Sequence, residues 1–90
     1  MNYDYQKLDA SLAIAMTQAR DTQAKQFVVF IQTETPLNVE AIAFLEDMGV
    51  QNLTPSRKIH TAALSPEQVA ALSQQTWVRY IRLSQKLQLS

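Results

Sequence analysis

His60 is the single histidine of the chain, and no cysteine accompanies it. An imidazole can serve as a general base or bind a metal. Here it stands in the run Ile59-His60-Thr61-Ala62, with no second histidine and no thiolate to complete a ligand set. A packed or edge histidine on a strand is the stronger reading. Glu46-Asp47 sets two carboxylates side by side. On a helix, however, side chains meet at spacings of three or four, so adjacent ones diverge onto a solvated face. Gly49 is the only glycine, which rules out a glycine-rich phosphate loop by motif. No serine stands with a convincing base. The chain therefore reads as a non-enzymatic protein with no metal site and no cofactor site.

Aromatic side chains offer a second kind of chemistry. Phe30 and Tyr80 on one sheet face would resemble a base-stacking platform. Eight basic residues balance eight acidic ones, however, so no overall field holds a nucleic acid or an anionic membrane. The glycine-aromatic pattern of RNA-binding domains is also absent. Trp77 could anchor a partner, but closing the end of a small core is the more ordinary role. The charges are unevenly placed. Residues 1–56 carry three basic and seven acidic side chains, a net of −4, and residues 57–90 carry five and one, a net of +4. Internal complementarity explains this most simply; two-fold self-association or an acidic partner is the sharper alternative.

The elements that must position these groups follow from the spacing of apolar residues. Tyr5, Leu8, Leu12, Ala15, Met16 and Ala19 recur at helical intervals and predict one helix over residues 4–20, capped by Asn2 or Asp4. Gln26 to Gln32 holds five β-formers in a row and predicts a strand. Phe27, Val29 and Ile31 point one way, and Val28 and Phe30 the other. Apolar residues on both faces predict a central strand. Residues 38–48 predict a helix burying Ala41, Ile42, Leu45 and Met48, with Asn38 or Thr35 as cap and Gly49 just past the end. Val50 to Thr54 predicts a weak edge strand and Ile59 to Leu64 the strand that returns. In Ser65-Pro66-Glu67-Gln68, a capping serine, a first-turn proline and a glutamine that can reach back open a helix running to about Gln75. Trp77 to Leu83 predicts the last strand. Ile81, Leu83, Leu87 and Leu89 continue one parity, so the tail is expected to be extended and adhesive.

With 47% hydrophobic residues in 90, the chain suits one small core. The order of elements is a helix followed by β-α-β-β-α-β. Hairpin pairing and right-handed crossovers turn that order into a ferredoxin-like α+β fold, a four-stranded antiparallel sheet with two helices on one face. Residues 1–25 form the extra N-terminal helix and its connection, and residues 26–90 the βαββαβ domain with its C-terminal tail. The first and third strands lie centrally, and the crossover helices leave the second sheet face bare. The N-terminus has no basic region followed by an apolar run, and no stretch approaches the ~18 apolar residues of a membrane span. A cytoplasmic location is expected.

Residues 26–89 resemble the subtilisin propeptide and peptidase-inhibitor I9 family. The strand Phe27-Val28-Val29-Phe30, the passage Leu64-Ser65-Pro66-Glu67-Gln68-Val69-Ala70-Ala71-Leu72 and the closing strand Val78-Arg79-Tyr80-Ile81 carry the resemblance. It implies an open sheet face that packs on a subtilisin-like protease, and a tail lying in the protease cleft like a bound product. Carried over, the partner-binding residues are Val28, Phe30, Tyr80 and Arg82 on the face, with Leu87 and Leu89 among the tail residues 87–90. His60 falls where the family usually has a core aromatic. No protease domain follows in these 90 residues, so the resemblance implies a free-standing inhibitor-like or chaperone-like module. The alternative is a self-associating regulatory or small-ligand-binding domain, possible as a homodimer, whose N-terminal helix covers the same face of its own or a sister subunit.

Overall fold

The computed structural model describes residues 2–87. Three strands, β1 (Phe27–Thr33), β2 (Ile59–Leu64) and β3 (Val78–Lys86), form an antiparallel sheet in the order β2-β1-β3. Three helices, α1 (Ala10–Gln18), α2 (Val39–Asp47) and α3 (Pro66–Ser73), complete a small α+β domain. None of them is long and apolar enough to cross a membrane.

β1 is central, as its two apolar faces predicted. It pairs Phe27 with Leu64 through Gln32 with Ile59 on one side, and Phe27 with Lys86 through Thr33 with Val78 on the other. Phe27, Val29, Ile31 and Thr33 are buried, while Val28 and Phe30 are half-buried. The buried residues of all three helices, including Leu12, Leu45 and Leu72, join Val29, Ile31 and Ile81 in one core. All three helices therefore lie on the same side of the sheet. α1 does not cover the Val28–Phe30 face of its own chain.

Local signals explain the helix ends. Ser65 and Gln68 make both bonds of the capping box. The Gln68 amide donates to Ser65 Oγ at 3.1 Å, and the Ser65 amide donates to Gln68 Oε1 at 3.0 Å. Asn38 caps α2 by accepting from the Ala41 amide at 2.8 Å. Past α2, the Gly49 amide donates to the Glu46 carbonyl and the Val50 amide to the Leu45 carbonyl. That is a Schellman ending, with Gly49 at φ +89° and Val50 packed into the same core as Leu45.

Four expectations are corrected. First, residues 4–20 are not one helix. Asp4 caps a 3-10 turn over Tyr5–Lys7, Leu8 is extended and bridges Ile81, and Asp9 caps α1. The sheet edge competes with the helix for the backbone of Leu8 and Asp9, because the Asp9 amide donates to the Ile81 carbonyl at 3.1 Å. Tyr5 consequently leaves the apolar stripe and stands 62% exposed. Second, Val50–Thr54 is not a strand. The Schellman turn draws Val50 into the core and Asn52 adopts φ +59°, which a flat strand does not allow. Third, β2 is therefore an edge strand rather than a second central one. Fourth, the alternation of β3 is broken before the strand ends. A register shift at Ser84 leaves Leu83 opposite Val29 but Gln85 opposite Val28, so the parity of Ile81 and Leu83 is lost.

Candidate docking face

The second face of the sheet is built by the alternate residues of each strand. From β1 come Val28, Phe30 and Gln32; from β2, Ile59, Thr61 and Ala63; from β3, Tyr80 and Arg82. Cross-strand register places Phe30 between Thr61 and Arg82, and Gln32 between Ile59 and Tyr80. The Arg82 guanidinium carbon stands 5.1 Å from the centre of the Phe30 ring, within cation–π range. Phe30, Gln32, Ile59, Tyr80 and Arg82 line a shallow hollow of about 240 Å³. Ile59 is 52% exposed and Tyr80 36%.

The structure thus brings Val28, Phe30, Tyr80 and Arg82 onto one exposed face. It adds Ile59, which the sequence reading did not select. The signal for Ile59 was present: it shares parity with Thr61 and Ala63, and it alone of the three is a large apolar residue. Leu87 lies at the opposite end of the sheet, where its amide donates to the Gln26 carbonyl at 2.8 Å, and it is partly exposed. Leu89 and the rest of residues 88–90 lie outside the described residues.

This face can offer apolar contact, one aromatic hydroxyl and one cation. Arg82 has no ion pair among the described residues, where Arg79 with Glu34 at 3.6 Å is the one salt bridge, and an exposed one. The −4/+4 division of charge is therefore hardly used inside the chain. A guanidinium over an aromatic ring keeps its donors directed outward, ready for a carboxylate or peptide carbonyl.

The remaining groups with chemical potential do not converge. The His60 side chain faces the core, and the residue is 3% exposed. Its Nε2 and the Oγ1 of Thr33, which sits diagonally across from it on the same side of the sheet, have no hydrogen-bond partner among the described residues. Burial pushes the imidazole below its ordinary pKa, and the nearby Arg57 charge adds to this against an opposing hydrogen bond that the ring donates to the Arg57 backbone. A hollow of about 500 Å³ surrounds the Gly49–Leu53 turn, and Glu46 is the only ionisable residue that lines it. Among the described residues no group of three or more His, Asp or Glu side chains could hold a metal ion. Trp77 packs edge-on against Phe44, with ring centres 5.7 Å apart, and closes one end of the core.

Comparison with protein-family models, with curated proteins and with solved structures gives no match.

Proposed function

We propose that this protein is a non-enzymatic docking domain that binds a protein partner through the sheet face of Val28, Phe30, Tyr80 and Arg82, with Leu87 and the tail after it as a second contact. Its framework is a ferredoxin-like βαββαβ arrangement in which the segment after α2 has given up its strand. The specific form of the reading is a peptidase-inhibitor I9-like inhibitor or chaperone-like module for a subtilisin-type protease. One observation carries it: all three helices pack on one side of the sheet, and an aromatic and aliphatic surface is left exposed on the other. A partly apolar face with a single cation is the composition of a protein contact rather than a nucleic-acid one.

The test is titration of a subtilisin with the intact chain, with a version ending at Ser84, and with Phe30→Asp. The intact chain is expected to slow peptide hydrolysis. The shortened chain should do so less well, and Phe30→Asp should weaken inhibition by about thirtyfold, the loss expected of a central aromatic anchor. No inhibition by the intact chain removes the protease reading. The rival, a self-associating domain, draws support from a different surface, the free edge of β2.

A further inference from the structure

We propose that β2 pairs edge to edge with β2 of a second copy of this chain, antiparallel and centred on Thr61. The proposal rests on backbone atoms and does not depend on the docking reading. The Thr33 amide donates to the Lys58 carbonyl at 2.8 Å, which fixes the alternation along β2. His60, Ala62 and Leu64 turn their peptide groups toward β1; Ile59, Thr61 and Ala63 turn theirs outward. The Ala63 carbonyl confirms this, for it accepts from Lys25 Nζ at 3.2 Å rather than from β1. The amides of Ile59, Thr61 and Ala63 and the carbonyls of Ile59 and Thr61 have no partner among the described residues.

An edge of this kind is usually guarded by a charge, a proline, a bulge or a covering segment. Ile59–Leu64 contains no charged residue and no proline, and its pairing with β1 runs without a shift. The other edge of the sheet is guarded. Leu8 bridges Ile81, and Asp9 takes the Ile81 carbonyl with its amide and the Leu83 amide with its carboxylate. With a single free edge, pairing closes into a two-fold dimer instead of growing into a fibre.

The edge also matches itself. Centring on Thr61 sets Thr61 of one copy against Thr61 of the other, and Ile59 against Ala63 at both ends, a large side chain beside a small one. The same register lays the Arg57-Lys58 end of one β2 alongside the Ser65–Glu67 end of the other. Arg57, Lys58 and Glu67 form no ion pair within the chain among the described residues. The copies carry no net charge to repel each other. The exposed Lys25 ammonium has to leave the Ala63 carbonyl, a change its long side chain accommodates.

The experiment is sedimentation velocity on the full chain over a concentration series, for the wild type, Thr61→Lys, Thr61→Glu, and the two variants mixed. The wild type should form a concentration-dependent dimer. Each variant alone should dimerise about fivefold more weakly, because like charges stand opposite each other at the axis, and the mixture should recover. Thr61→Pro, which deletes both central bonds without touching the pairing to β1, should weaken the dimer by about thirtyfold. Near-ultraviolet circular dichroism identifies any variant that fails to fold. If the proline variant does fail, the lysine and glutamate pair carries the test. A monomer at every concentration overturns the proposal. So does a dimer indifferent to charge at residue 61, an open-ended polymer, or an edge that pairs only with an extended peptide of unrelated sequence.

Discussion

Replacing Asp9 by alanine should cost more stability than any other single surface change near the N-terminus. One carboxylate oxygen of Asp9 accepts from the Leu12 amide at 3.0 Å, which caps α1, and from the Leu83 amide at 3.2 Å, which fastens the segment to β3. Losing a cap costs about 1 kcal/mol. Leaving the Leu83 amide without its charged acceptor costs about 1–2 kcal/mol more, because the site is only part-buried and water recovers some of the loss. The sum is about 2–3 kcal/mol, a large share of the 5–15 kcal/mol typical of a domain. For a chain of this size it corresponds to a fall in the thermal midpoint of roughly 10–20 °C. Asp9→Asn keeps an acceptor oxygen in place and should lose less than half as much. Urea unfolding measures the difference as a shift in midpoint at constant slope. Amide exchange adds a local readout, since Leu83 should lose protection in the alanine variant before the centre of β1 does. A loss below about 0.5 kcal/mol, which surface substitutions commonly give, or an asparagine variant as damaged as the alanine one, would refute the claim that this carboxylate ties α1 to the sheet.

Two further outcomes follow from single residues. His60 has a folded-state pKa below the ordinary value of 6.5, so the unfolded chain binds the proton more readily. Its contribution to stability is therefore complete above about pH 6.5 and is lost as pH falls through the lowered folded value; His60→Phe should flatten that part of the stability–pH profile, and an unchanged slope would show that the imidazole is not the group responsible. Gly49→Ala should destabilise by about 1–2 kcal/mol, purely through the backbone. Nothing lies within 4 Å of the added methyl, while φ stands at +89°. A neutral result in chemical denaturation would mean that the Schellman turn relaxes at no cost.

Which parts of this fold were legible in the sequence depended on how local their causes are. The capping box at Ser65 and Gln68, the Asn38 cap and the Gly49 exit each involve residues a few positions apart, and all formed where their chemistry indicated. β1 was legible because a run of β-formers with two apolar faces has few other places to go. Two features were not legible because distant residues decide them. Leu8 and Asp9 sit in a continuous helical stripe, yet Ile81 and Leu83 take their backbone and carboxylate. Val50–Thr54 has moderate β-character, yet the Gly49 turn and the left-handed Asn52 spend those residues on reversing the chain. For the face, residue parity was enough to group Val28 with Phe30 and Tyr80 with Arg82. The parity failed because one register shift, invisible in composition, reverses the side on which Gln85 and Lys86 lie.

The absence of the expected strand at Val50–Thr54 links the two exposed surfaces. In a sheet of four, a strand after α2 would satisfy the outward peptide groups of Ile59, Thr61 and Ala63. Without it their amides and the carbonyls of Ile59 and Thr61 have no partner among the described residues, while the side chains of the same residues still belong to the face that holds Phe30. The face acts through side chains and the edge through the backbone, so substitution can separate them. Phe30 lies on the central strand and contributes nothing to the β2 edge, so Phe30→Asp should weaken docking by about thirtyfold and leave self-association intact. Thr61 stands at the junction of the two surfaces and should affect both. If Phe30→Asp dissolved a dimer, the contact between copies would be face to face, and the unpaired peptide groups of β2 would need another explanation.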